Sequence, residues 1–296
     1  MTLPNFIIIG AAKAGTTSLW HYLGQHPDVF ISGVKEPNYF ITLDHKAYRA
    51  LERQKGGSQV VTSEWRSYES LFENAGRRHA VGEASPAYMF YEHTAQAIKS
   101  KLPNVKLICI LRDPCERAFS HYNFLRLYQR EPLRRFREAV DTDQQRPEAE
   151  KWHYIDQGLY FEQLSRYFEL FSSDQIKVVF NQDLKANGTA VLAEIFDFLN
   201  VDASPDIDMS ARLTVSGEPR SEFVHWFLAG ANPMRRYLGP ILPTRLRAMA
   251  RRLKNANLRR QKLGAADRTW LMQFFHEDIR QLESLLQVDL PSWRSA

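Results

Sequence analysis

The segment Phe6–Ser18 constrains the fold of this chain more than any other stretch. Four bulky apolar residues in a row, Phe6-Ile7-Ile8-Ile9, read as a strand buried on both faces. Gly10 and Gly15 then bound a tight turn, and Thr16, Thr17 and Ser18 begin a helix. A unit of this kind turns backbone N–H groups inward around a phosphate. The two glycines have the spacing of the nucleotide triphosphate P-loop, but that pattern requires lysine directly after the second glycine. Here that position is Thr16, and the lysine stands earlier in the loop as Lys13. The loop is therefore expected to hold a phosphate without being built for Mg-nucleotide hydrolysis. A glycine-bounded turn with no ligand would use the same residues, because glycine at a tight turn is a general device.

Further strand-like runs at Val29–Ile31, Ala80–Glu83, Val105–Leu111 and Ile176–Asn181 follow the first, at Asn5–Ile9. They alternate with helical periodicity at Thr17–Gln25, Glu92–Lys101, Glu116–Gln129, Tyr160–Phe171 and Thr189–Leu199. Buried strands alternating with helices imply an α/β fold, a P-loop-like and mostly parallel sheet flanked by helices, here with a helical C-terminal portion. Ligands on such sheets collect at the carboxyl ends of the strands. A length of 296 residues at 44% hydrophobic content is expected to form a single domain over 1–296 with a large core. The polar stretches Arg53–Ser63 and Asp141–Gln157 read as surface excursions.

No apolar run approaches the roughly 18 residues that span a bilayer, and no basic leader precedes the first strand; a soluble, cytoplasmic protein is expected. Cys109 and Cys115 suggest neither a disulfide framework nor a metal site, and no CxxC or HExxH pattern occurs. Net charge is +5 but uneven: Phe223–Ala266 holds no acidic residue and is rich in Arg and Lys. That asymmetry fits an anionic ligand or surface, or a solvated basic helix.

A second strand-turn-helix unit lies at Leu107–Tyr122. Asp113 is a good helix cap and Pro114 a good first helical residue, so Arg112 should sit at a strand end beside a helix N-terminus. Ser120 follows nearly two turns in, on a face that can approach the same spot. Arg112 and Ser120 thus suit a second, separate phosphate, the arginine supplying forked donors. Capping plus a surface ion pair is the plainer use of the same residues.

Together these residues resemble a known family. The loop Gly10-x-x-Lys13-x-Gly15-Thr16-Thr17-x-Leu19 is followed by His26-Pro27-Asp28, Lys35-Glu36-Pro37 and Tyr39-Phe40, and then by Arg112-Asp113-Pro114-x-x-Arg117-x-x-Ser120-x-Tyr122. This order is similar to that of the PAPS-dependent sulfotransferases, closest to their heparan sulfate and bacterial carbohydrate-type branch. The resemblance extends over most of the chain. It implies that the Lys13 loop (Ala14, Gly15, Thr16, Thr17, Ser18) binds the 5′-phosphosulfate of PAPS and that Arg112 and Ser120 bind the 3′-phosphate. It further implies a hydroxyl-bearing acceptor, a saccharide or glycosylated metabolite, with neither nucleic acid nor a metal involved. The displaced lysine has a chemical reason. A sulfuryl group in transfer carries less charge than a phosphoryl group, so fixed Lys, hydroxyl and N–H donors can stabilise the leaving phosphate without a metal.

For the general base the resemblance points to Glu36, with Glu83 in Gly82-Glu83-Ala84-Ser85-Pro86 as the alternative; a surface pair with Lys35 is the bland reading of Glu36. Related glycosaminoglycan enzymes have lysine after the Glu83 equivalent, and here it is Ala84. Ser216 and Arg220 are weaker candidates for closing over the nucleotide. Arg259 and Arg260 fall roughly where the family has a basic cofactor loop. Two other classes compete. A nucleotide kinase or NTPase would need the P-loop lysine and an Mg-binding acidic strand, and a basic nucleic-acid or anionic-lipid binder would use Arg235–Lys262 with strong salt dependence.

Overall fold

The computed structural model describes residues 2–42, 63–210, 218–219, 258–259 and 261–295. Five parallel strands make one sheet: β1 (Phe6–Gly10), β2 (Val29–Ile31), β3 (Ala80–Ala84), β4 (Lys106–Leu111) and β5 (Ile176–Phe180), ordered β2-β3-β1-β4-β5. Every strand lies within one residue of its expected bounds. Phe6 to Ile9 and Leu107 to Leu111 are fully buried, which is why neither run alternates: each strand has an apolar layer on both sides. Phe6 pairs with Gly82, and a Cβ there would lie 2.5 Å from the Phe6 ring. The glycine makes room for the aromatic that fills the sheet face.

The flanking helices are α1 (Thr16–Leu23), α2 (Tyr39–Thr42), α3 (Trp65–Ser70), α4 (His93–Lys101), α5 (Pro114–Leu127), α6 (Phe136–Gln145), α7 (Tyr160–Phe168), α8 (Asn181–Ala186) and α9 (Gly188–Phe198). The C-terminal part is α10 (Ala265–Leu286) and a last turn, α11 (Pro291–Arg294). The stripe Leu271, Met272, Phe275, Ile279 and Leu282 buries α10 against the domain. From this helix Asp278 accepts the N–H groups of Tyr160 and Phe161 at 2.8 and 3.0 Å, capping α7, and Arg268 reaches Asp113 at 2.7 Å. Glu218–Pro219 and Leu258–Arg259 pair as a separate antiparallel ribbon.

Asp141–Gln157 is only in part the surface excursion its polarity suggests: much of it is exposed, but it carries a closed polar cluster. Asp143 and Tyr154 are buried, and so is the neighbouring Glu131. Asp143 accepts from the Trp152 and Tyr154 N–H groups at 2.6 and 3.3 Å, and the Tyr154 hydroxyl donates to Glu131 at 2.9 Å. Arg146 bridges the two acids, 3.2 Å from Asp143 and 3.4 Å from Glu131. These buried polar groups satisfy one another, while Asp141, Thr142, Gln144, Gln145, Glu148 and Glu150 face water. Most of the other excursion, 53–62, lies outside the described residues.

Removing the arginine would leave two carboxylates buried without their counter-charge. Arg146→Ala is expected to lower stability by about 3 kcal/mol, the lower end for breaking a buried ion pair, as read from the urea midpoint at pH 7. An unchanged midpoint would show the cluster to be energetically idle.

Candidate active site

All five carboxyl ends of the sheet contribute to one place, beside the switch point where the chain, having placed β2 and β3 on one side of β1, adds β4 on the other. The loop after β1 is tied to β4 by the Ala11 N–H, which donates to the Ile110 carbonyl at 2.8 Å. It is tied to the end of β5 by Asn181, whose Nδ2 donates to the Ala14 carbonyl at 2.6 Å. Gly15 has φ +113°, and a Cβ there would come 2.8 Å from Asn181 Nδ2, so the position requires glycine twice over. Gly15 also caps α1 with no side-chain hydrogen bond, leaving the helix N-terminus to the loop.

After β4, Asp113 caps α5 by accepting from the Glu116 N–H at 3.0 Å, with Pro114 in the first turn, as the sequence indicates. Arg112 donates to the Lys13 carbonyl at 3.4 Å and pairs with Glu116 at 2.9 Å; the Tyr160 hydroxyl holds the Arg112 carbonyl at 2.9 Å. The two strand-turn-helix units are therefore joined directly.

A cleft of about 590 Å³ opens over them. Lys13, Gly15, Thr16, Thr17, Ser18, Glu36, Arg112 and Ser120 all line it. Lys13 is partly accessible, and its Nζ lies 3.8 Å above the Phe124 ring. Burial, then the nearby Arg112, bring its pKa down to about 7; Glu36 opposes this, and Lys35 and Arg117 add to it.

Glu36 reaches the cleft from a turn after β2, paired with Lys35 at 2.5 Å. The pair expected from the bland reading exists, but both partners face the cleft. Glu83 does not line it. It is fully buried, takes the Ser85 hydroxyl at 2.8 Å and the Tyr68 hydroxyl at 3.3 Å, and has its pKa pushed up to about 7, chiefly by burial. Ala14 is buried and its side chain does not line the cleft; its carbonyl accepts from Asn181 and its N–H turns back to the Ala11 carbonyl at 3.1 Å. Ser216, Arg220 and Arg260 lie outside the described residues, and of Arg259 only the backbone pairing with Glu218 is described.

The cleft also includes residues that sequence reasoning missed: Asn181, Lys35, His121, Phe124, Tyr128 and Trp152. Asn181 carried a signal, standing at the end of a strand in a fold whose ligands gather there. The α5 residues had one too, since Ser120, Phe124 and Tyr128 repeat every four positions along one helix face. Trp152 had none. For His121, burial, followed by Arg117, Lys13 and His153, lowers the pKa well below the usual imidazole value, so it stands neutral on the cleft wall. Among the described residues no group of His, Cys, Asp and Glu is arranged to hold a metal ion.

A family profile described as a sulfotransferase domain matches residues 3–231. The chain belongs to the sulfotransferase family. The resemblance carried by the two motifs is thereby borne out, as is the α/β architecture. The crystal structure of a sulfotransferase from Alicyclobacillus acidocaldarius matches with a TM-score of 0.77 at 29% identity, covering 100% of both chains. A mouse sulfotransferase complexed with PAP shares the fold, with a TM-score of 0.50 at 15% identity over 94% of this chain and 84% of that one. Among curated proteins, the membrane-associated sulfotransferase kil1 of Dictyostelium discoideum is 26% identical over 77% of this chain and 62% of its own length. The mouse bifunctional heparan sulfate N-deacetylase/N-sulfotransferase 4 is 26% identical over 98% of this chain but 31% of its own length. The chain thus spans less than two thirds of either relative. No described helix is long and apolar enough to cross a membrane.

The lysine makes a pH-dependent cost. Unfolded, Lys13 titrates near its ordinary 10.5; folded, near 7. Between these values only the unfolded chain carries the proton, so the lysine's penalty is full below pH 7 and fades as pH rises toward 10.5. Lys13→Met is therefore expected to raise the melting temperature of the protein alone at pH 6 and to gain less at pH 9. A gain that does not shrink between the two would contradict the buried-cation reading.

Proposed function

We propose that this chain moves the sulfuryl group of PAPS to a hydroxyl of a carbohydrate or glycosylated small-molecule acceptor, without a metal, as a single domain. The observation that carries the reading is the meeting of two separate anion sites and one carboxylate in one cleft. The residues fit the nucleotide: the Gly15 cradle is closed to any side chain, the α1 N-terminus is left to the loop, and Lys13 is a cation in want of a counter-charge. When bound, PAPS supplies the sulfuryl group and the leaving phosphate. The backbone of Lys13, Ala14 and Gly15, with Thr16, Thr17 and Ser18, holds the 5′-phosphate. Arg112 and Ser120 hold the 3′-phosphate. On the family resemblance alone, Ser216, Arg220, Arg259 and Arg260 are further nucleotide contacts.

Glu36 takes the proton of the attacking hydroxyl. Lys13, protonated beside the nucleotide, stabilises the charge that collects on the phosphate oxygen as the S–O bond breaks. Glu83 has no path to an acceptor in the cleft, which favours Glu36 as the base. The names of relatives such as the mouse N-sulfotransferase support a carbohydrate acceptor, and Trp152 and Tyr128 offer ring faces on which a sugar could stack. The free cysteines, Cys109 and Cys115, fit a reducing compartment, and a cytoplasmic location is part of this reading.

Calorimetry should find that 3′-phosphoadenosine 5′-phosphate binds at least about tenfold more tightly than AMP, since a hydrogen bond to a charged group contributes about 1.5–3 kcal/mol. Arg112→Ala should remove most of that preference; equal affinities in the unaltered protein would end the assignment of a 3′-phosphate site.

Glu36→Gln should lower transfer from labelled PAPS to a hydroxyl acceptor by about 10²–10⁴-fold while leaving nucleotide binding intact. Glu83→Gln should retain most of the activity. The reverse pattern would move the proton acceptor to Glu83, and activity lost to EDTA would argue against a metal-free reaction.

A further inference from the structure

Glu36 stands in left-handed backbone, with φ +60°, and Asn38, two residues on, repeats it at +56°. Non-glycine residues rarely hold this conformation, so the turn that aims Glu36 must be fixed from outside. Four hydrogen bonds do so in series. The Glu36 N–H donates to the Ala84 carbonyl at 2.9 Å, and Asn38 Nδ2 donates to the Glu36 carbonyl at 2.6 Å. The Asn38 N–H donates to Ser85 Oγ at 3.1 Å, and the Ser85 hydroxyl donates to Glu83 Oε2 at 2.8 Å.

The last link decides the others. A serine hydroxyl has a single proton, and giving it to Glu83 turns the lone pairs of Ser85 toward Asn38. Without the acceptor the hydroxyl is free to rotate and can compete as a donor. Glu83 itself is fully buried and off the cleft, in a setting of hydroxyl donors, so contact with a substrate does not account for it.

We propose that Glu83 is a positioning residue for Glu36, acting through Ser85 and Asn38 to lock the turn from which the base reaches the cleft. This rests on the reading of Glu36 as the base.

A double-mutant cycle separates the two ideas, with radiolabelled PAPS as donor and desulfated heparan oligosaccharide as the hydroxyl acceptor. Glu83→Ala and Ser85→Ala should each lower kcat by about tenfold to a hundredfold, the scale of a small misplacement of a reacting group, without weakening the binding of 3′-phosphoadenosine 5′-phosphate. In a Glu36→Gln background neither should cost anything further, and Glu83→Gln, which keeps an acceptor for Ser85, should restore most of the rate. Equal losses in both backgrounds, with Glu36→Gln itself strongly impaired, would overturn the positioning role and leave the base in place. A harmless Glu36→Gln would sink the base, and this inference with it. In the protein alone, the carboxylate NMR signal of Glu36, assigned by its loss in Glu36→Gln, should shift or broaden in Glu83→Ala and Ser85→Ala and stay in place in Glu83→Gln. A signal unmoved in all three overturns the proposal whatever turnover shows.

Discussion

The parallel pairing of β1 with β4 is the constraint on which the rest of the site depends. Ile8 sits opposite Ile108, and the register breaks once toward the strand end, where Gly10 meets Cys109. The loop after β1 therefore leaves the sheet beside the segment after β4, close enough for Ala11 to bond Ile110 and for Arg112 to bond Lys13. Two strand-to-helix turns that are about a hundred residues apart in sequence share a wall of the cleft because two buried strands are neighbours. Packing fixes that distance more firmly than any contact between the loops could.

The sheet was legible because its strands are buried on both faces and need no alternation to be seen. Asp113, Pro114 and Gly15 were legible for a different reason: cap, first-turn proline and left-handed glycine are local roles that each residue type advertises. At Asp141–Gln157 polarity told only half: much of the stretch is exposed, but it also holds a closed cluster. Composition reports how many polar atoms a stretch contains but not whether Asp143, Arg146 and Glu131 find one another, and that closure is tertiary. Trp152 escaped notice with it, since the same cluster sets its backbone beside the cleft. The different settings of Glu36 and Glu83 were not legible either, because both stand near strand ends and only burial distinguishes a carboxylate facing a cleft from one facing hydroxyls.

Lys13 and Glu83 share a physical situation and differ in its use. In each, burial disfavours the charged form and draws the group toward neutrality near pH 7, the lysine from above and the carboxyl from below. The lysine has an open cleft in front of it. The carboxyl is enclosed by Tyr68, Ser85 and the sheet. Desolvation in the open case leaves the lysine facing the cleft, whereas in the closed case the carboxyl is satisfied by hydroxyl donors from within.

The ties from α10 bear on how the protein is made. Asp113, which starts α5, is held by Arg268, 155 residues later, and the start of α7, which braces the Arg112 carbonyl, is capped by Asp278, 118 residues after Tyr160. During synthesis the sheet can assemble around β1, β3, β4 and β5 before either partner has left the ribosome. The cleft reaches its final shape only once α10 has been made and docked, so a nascent polypeptide carries the loop after β1 long before the second wall is braced. Long-range contacts of this kind slow folding, and here they place completion of the site at the end of it.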